Sequence, residues 1–421
     1  MQIEANNGAA QLTISEHRPC PVCGGDSTRP LFRQTFRAVD QIGFLDGYDV
    51  VACQRCGTTF ADLIPRQSQF DQYYRDLSKY AYEHRGGKES PDDEWRLRQV
   101  AITLQSLIPS RSTRLLEIGC ANGSLLGILK AAGYQNVFGL DPSPDCAEAA
   151  LNRYGVRVLT GSVFAMPLVQ AGYDFLVLLG VLEHIRDVSL AAQTIRGLLT
   201  ASGHVYVEVP DATNLIAECD APFQEFSMEH INFFSPTALR FLMESAGFQT
   251  IEAKSVVRPD RTGKPSAVIS GFFENSDARR ASFARDFEAE AGLQRYISKC
   301  RGMDADLRRR IDEAVSKHRN FIVWGVGTHT QRLLATGALN VANIVAFADS
   351  NPKYQNHQLQ GIPVLRPEAL KNCAEPILIS SYAFQQEIAD QVRGLNLPNE
   401  LILLYAANSV VRERSGLNGR Q

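Results

Sequence analysis

The chain has 421 residues, with 43 basic against 46 acidic side chains, a net charge of -3 and a pI near 6.3. That is length for two to four domains with separate cores, without the basic excess usual in nucleic-acid binders. The longest central apolar run, Phe175 to Leu182, is far too short to cross a bilayer, and the polar start Met1 to Ala10 carries no signal-peptide pattern, so we expect a cytoplasmic protein with no membrane or nucleic-acid partner.

In chain order, the first chemical signal is a pair of knuckles, Cys20-x2-Cys23 and Cys53-x2-Cys56, each followed by glycine. The glycines let the backbone turn back toward the sulfurs, and four thiolates make a closed tetrahedral zinc site with a structural role. Phe32 to Val51, with Asp46-Gly47 near its end, reads as the hairpin joining the knuckles. Arg29, Arg33 and Arg37 between the knuckles stand alongside Asp40, Asp46 and Asp49, so no one-sign stripe for a nucleic acid forms. Cys120, Cys146, Cys219, Cys300 and Cys373 are scattered and read as small buried hydrophobes. A tyrosine-rich stretch, Asp71 to Glu83, then serves either as a satellite hydrophobic patch or as a lid over a ligand.

Trp95 to Ile108 has helical periodicity and leads into the apolar run Leu115 to Ile118, which ends in the turn Gly119-Cys120-Ala121-Asn122-Gly123. Glu117 before the glycines disfavours a phosphate and suits a ligand with positive charge and hydroxyls. A second strand, Asn136 to Leu140, ends in Asp141, placed to accept from a ribose diol. This pair resembles the first two motifs of class I S-adenosylmethionine methyltransferases. Three further strands are expected at Val156 to Leu159, Tyr173 to Gly180 and His204 to Pro210. Ser162 follows the first of these, where many relatives place an acid against the adenine amine. Glu183 and His184 follow the second, at a strand edge where open α/β sheets bind ligands.

Gln224 to Phe234 contains Glu229-His230, a polar pair among aromatics, just before a helix capped by Ser235-Pro236. From Asp277 to His318 the pattern is one or two amphipathic helices, interrupted near Gly302. Beyond it, Asn320 to Trp324, Gly325-Val326-Gly327 and a strand ending in Asp349 indicate a second nucleotide-type domain. That half admits an NAD-dependent sugar reductase or epimerase, but Thr330 replaces the third glycine and no hydride-transfer set accompanies it.

The order of these parts resembles the sugar C-methyltransferase family, in which a zinc domain, a methyltransferase domain and a nucleotide-fold domain act on a nucleotide-linked 4-keto deoxysugar. The expected class is α/β. A zinc-binding module spans 1–85, a doubly wound S-adenosylmethionine-binding methyltransferase domain 86–252, a helical connector 253–318 and a Rossmann-like domain 319–421. Zinc falls to Cys20, Cys23, Cys53 and Cys56; the methyl donor falls to Glu117, Gly119, Gly123, Asp141 and Ser162. The resemblance implies His230 as base, oriented by Glu229, with His184, Tyr80 or Tyr82 donating to an enolate. Ser227 stands where characterised relatives carry a tyrosine, which leaves the substrate or the proton-transfer route open to differ. Methylation of oxygen or nitrogen is the nearest alternative, because it could use the same histidine on an ordinary nucleophile.

Overall fold

The computed structural model describes residues 15–40, 42–77, 89–166, 171–261, 264–276 and 284–405; the expected site residues Tyr80 and Tyr82 lie outside them. A seven-stranded sheet forms the centre, in the order Phe248–Pro259, Pro265–Asn275, Leu199–Pro210, Tyr173–Leu179, Leu115–Ile118, Val137–Asp141, Arg157–Thr160. The last five strands pair in parallel, while Pro265–Asn275 runs antiparallel to its neighbours on both sides. Leu115, Leu116, Glu117 and Ile118 are all buried, as a strand covered on both faces requires.

Helix Pro91–Leu107 starts at Ser90, whose hydroxyl accepts from the Asp93 amide, and buries Leu97, Val100, Ala101 and Leu104 in one core with Leu125, Leu126 and Leu129 of helix Ser124–Ala131. From Leu115–Ile118 the chain proceeds outward one way through Val137–Asp141, then returns to the other side through Tyr173–Leu179. Ligands bind at such a reversal, outside the carboxyl ends of the strands.

The two knuckles sit on a second, antiparallel sheet: Thr28–Thr35, Gly47–Cys53, Thr59–Asp62 and Asn232–Phe233. Its last strand comes from beyond residue 230, so the cysteine module holds the end of the Glu229-His230 loop by strand pairing. Arg18, 5% exposed, reinforces the junction. Its guanidinium donates to the carbonyls of Ala61, Arg186 and Ile231 at 2.9, 2.9 and 2.6 Å, and to Asn232 Oδ1 at 2.8 Å.

The expected helical connector is only partly helical. Residues 253–275 belong mostly to the edge hairpin that completes the large sheet, because Pro265–Asn275 pairs with Leu199–Pro210 on one side and with Phe248–Pro259 on the other. The helix that follows, Glu288–Lys317, is continuous through Gly302. Its apolar stripe is buried on both sides of that glycine, at Leu293, Ile297, Leu307 and Ile311, and that packing outweighs the roughly 1 kcal/mol helical cost of a glycine.

The C-terminal unit is a six-stranded sheet in the order Gln358–Leu359, Ile362–Leu365, Ile344–Ala348, Phe321–Trp324, Ile377–Ile379, Leu401–Leu403. Its pairings are parallel except for the short Gln358–Leu359 hairpin. It meets the cysteine module directly, where the amides of Arg37 and Asp40 donate to the carbonyls of Gln331 and Gln358 at 3.0 and 2.8 Å.

Candidate active site

A cleft opens at the carboxyl ends of the parallel strands, and Glu117, Gly119, Asp141, Ser162, His184 and Glu229 all line it. Gly119 and Gly123 both have positive φ, 71° and 72°. A Cβ on Gly119 would come 2.6 Å from Val181 Cγ2, and one on Gly123 2.9 Å from the Ala150 methyl. Both positions therefore need glycine for conformation and for space.

The two acids beside the glycine turn differ in how they are held. Asp141 accepts from the amides of Ala121 and Ser143, both at 2.9 Å, so it clamps the glycine turn and keeps lone pairs for a diol. Glu117 is 4% exposed and its Oε2 has no hydrogen-bond partner. Burial pushes its carboxyl well above the usual range, which a ligand bringing an ammonium group or hydroxyls would reverse. Ser162 lines the cleft, and its hydroxyl accepts from the Phe164 amide at 3.3 Å.

On the other side of the cleft, the short helical turn Leu182–His184 and the 229–232 segment are laced together. His184 Nδ1 lies 2.9 Å from the Glu229 carbonyl, the Ile231 amide donates to the Glu183 carbonyl at 2.9 Å, and Asn232 Nδ2 donates to the carbonyls of Leu182 and Ile185 at 2.7 and 2.8 Å. The rings of His184 and His230 stand 5.0 Å apart. Burial raises the Glu183 carboxyl to about 7, opposed by the nearby His230.

One expected partnership changes. His230 Nδ1 faces Glu225 Oε2 at 3.3 Å, whereas Glu229 Oε1 accepts from the Tyr73 hydroxyl at 3.0 Å. Adjacent residues in an irregular loop point their side chains apart, so the carboxylate that meets the imidazole is the one five residues earlier. Tyr73 and Tyr74 of helix Gln67–Leu77 also line the cleft; Phe44 from the cysteine module stacks on Tyr73 with ring centroids 4.5 Å apart. The sequence signal for them is the tyrosine-rich stretch itself, of which the family resemblance singles out Tyr80 and Tyr82 instead. Ser227, in the place of the family tyrosine, uses its hydroxyl to accept from the amides of Glu229 and His230 at 3.2 and 3.1 Å.

Away from the cleft, Cys20 Sγ lies 3.6 Å from Cys56 Sγ, and Cys23 Sγ 3.6 Å from Cys53 Sγ. The edge of a tetrahedron around a metal with ~2.3 Å bonds to sulfur is roughly 3.8 Å, so the four sulfurs fit such an ion. In the C-terminal unit, Asp349 accepts from the amides of Val326 and Asn351 at 3.0 and 2.8 Å, repeating the Asp141 clamp around the Gly325 turn. Thr330, at the third-glycine position, donates to the Gly325 carbonyl at 2.8 Å.

Residues 90–253 match the family described as methyltransferase domain, and residues 317–403 match the family described as C2185-like, N-terminal. The chain is 28% identical over 174 residues to ubiquinone biosynthesis O-methyltransferase of Azorhizobium caulinodans, covering 38% of this chain and 68% of that protein. It is 30% identical over 172 residues to tRNA U34 carboxymethyltransferase of Vibrio cholerae, covering 37% of this chain and 51% of that protein. The chain thus spans about two thirds of one relative and about half of the other. Among solved structures, magnesium protoporphyrin IX methyltransferase from Synechocystis PCC 6803 with bound SAH aligns at 14% identity and a TM-score of 0.39, covering 50% of this chain and 99% of that one. The chain therefore carries an S-adenosylmethionine-dependent methyltransferase domain.

Proposed function

We propose that the whole chain transfers a methyl group from S-adenosylmethionine to a carbon of a nucleotide-linked keto-deoxysugar, by way of an enolate. The observation that carries this reading is the division of one cleft. Glu117 and Asp141 stand on the donor side, while the His184, Glu229 and Tyr73 side chains stand on the other, with His230 beside them. A keto group acidifies the neighbouring C–H; His230, with Glu225 against its Nδ1, takes that proton, and Tyr73, or His184 when both of its ring nitrogens are protonated, donates to the enolate oxygen. The enolate carbon then uses its electron pair to form the new C–C bond as the S–CH3 bond breaks and sulfur keeps its electrons. Holding the two reactants in line supplies the rest of the rate.

Methylation of oxygen is the second reading, favoured by the similarity to a ubiquinone biosynthesis O-methyltransferase. In the four-cysteine site, zinc would hold the knuckles together and, having no open position, would take no part in chemistry. The C-terminal unit, with its Gly325 turn and Asp349, is our candidate for the nucleotide end of the acceptor. Incubating the enzyme with S-adenosylmethionine and a panel of nucleotide-linked keto and non-keto sugars, then locating the new methyl by NMR, tests the assignment. A product methylated on oxygen or nitrogen would replace the carbon reading and keep the methyltransferase.

A further inference from the structure

Glu183, His184 and His230 each bring one ligand-type atom within 4.8 Å of the other two. Glu183 is 3% exposed, and its Oε2 has no hydrogen-bond partner. A buried carboxylate oxygen left in that state is costly unless something positive meets it. Both imidazoles have an outer partner at Nδ1: the Glu229 carbonyl for His184 at 2.9 Å, and Glu225 Oε2 for His230 at 3.3 Å. The Glu229 carbonyl fixes the His184 tautomer in which Nε2 carries the lone pair, and the Glu225 carboxylate stands beside His230 Nδ1 as a charge partner; outer partners of this kind commonly accompany metal-bound histidines. His184 Nε2 lies 3.9 Å from Glu183 Oε1. A cation about 2.1 Å from each ligand would draw them roughly 3 Å apart, a side-chain adjustment.

Two imidazoles and one carboxylate beside an open cleft are a donor set for first-row divalent cations such as Mn(II), Fe(II), Co(II) or Zn(II), whereas calcium and magnesium favour all-oxygen shells. We propose that Glu183, His184 and His230 bind one such cation, whose remaining positions face the cleft and take an oxygen of the methyl acceptor. The cation would stabilise negative charge on that oxygen as the acceptor loses its proton. The inference rests on the methyltransferase reading of this cleft but changes the part of His230: a coordinated ring accepts no proton, and in the loaded enzyme the Glu229 carboxylate receives it.

The test is a Mn(II) titration of the full-length, zinc-replete protein followed by electron paramagnetic resonance, with the cysteine site already saturated. We expect one Mn(II) per chain beyond the zinc, an affinity roughly 10- to 100-fold weaker in Glu225→Ala, as for a lost outer partner, and loss of the site in Glu183→Gln and His230→Ala. His230 is partly exposed, so if Glu183→Gln fails to fold, the His230 variant decides; S-adenosylmethionine binding reports that its fold is intact. No bound Mn(II), Co(II) or second Zn(II) would overturn the proposal, as would unchanged affinity in His230→Ala. Full methyl transfer after a chelator has reduced the protein to one metal per chain would overturn the acceptor role and leave the methyltransferase reading standing. Cation binding in a protein that methylates no acceptor would support the site and count against that reading.

Discussion

Asp141 clamps the glycine turn with its two oxygens and lines the cleft, and in the proposed function it also holds the donor's ribose. Asp141→Ala should therefore weaken S-adenosylmethionine binding by about 1.5–3 kcal/mol, the range for a charge-assisted hydrogen bond, and also lower stability by leaving two amides unpaired. Gly325→Ala, in the C-terminal unit, should leave donor affinity unchanged; calorimetry on both variants separates the two turns. With His230 as the base of the metal-free enzyme, His230→Ala should cut methyl transfer about 100- to 10,000-fold, as expected for loss of a general base, with donor affinity retained. In a carbon methylation the same variant should stop exchange of the acceptor's acidic hydrogen with deuterated water. Exchange that persists in His230→Ala would move the base to another group.

At the scale of elements, the decisive piece is the strand of two residues, Asn232–Phe233. It is too short to be stable alone, and it holds the Glu229-His230 loop because Thr59–Asp62 of the cysteine module pairs with it and Arg18 donates across the junction. If the four cysteines hold the proposed zinc, removing it should then disturb chemistry more than donor binding. We expect Cys53→Ser to lose about one zinc per chain, keep S-adenosylmethionine affinity within a few-fold and lose most methyl transfer, because structural zinc contributes folding free energy directly. Metal analysis beside calorimetry checks this, and equal losses of donor binding and turnover would contradict it. Gly57 follows the last cysteine of the second knuckle. Its φ is 84°, and a Cβ there would lie only 1.8 Å from the Asp286 carbonyl oxygen. Gly57→Ala should therefore cost about 2–4 kcal/mol through strain and overpacking, measured by denaturant unfolding.

Across the whole molecule, the cysteine module, the large sheet and the C-terminal unit touch one another, so a weakness in one is felt by the others. The C-terminal unit carries a built-in acid sensitivity at His329. Burial, helped by the Arg332 charge, pushes its imidazole down to about 3, and its Nε2 lies 2.5 Å from the Tyr405 hydroxyl. Below pH 6.5 the unfolded chain protonates this histidine while the folded chain does not, so stability falls as pH falls from 6.5 toward 3. Allowing for partial exposure, the loss by about pH 5 should be on the order of 1 kcal/mol, and His329→Gln should remove that part of the pH dependence in thermal melts. No helix among the described residues is long and apolar enough to cross a membrane.

The glycine turn, Glu117, Asp141 and the two cysteine knuckles were legible in the sequence because each is a local pattern: a strand end, a tight turn or a four-residue spacing dictates its own geometry. For the same reason the capped helix Pro236–Ser245 begins at Ser235, where its serine and proline place it. What the chain order could not disclose were contacts between distant segments. Glu225 rather than Glu229 meets His230, Tyr73 reaches Glu229 from 156 residues away, and residues 253–275 join a sheet whose partner strand begins at Leu199. Side-chain direction in an irregular loop and the choice of strand partner depend on packing and hydrogen bonds between segments, and those exist only once the chain has folded.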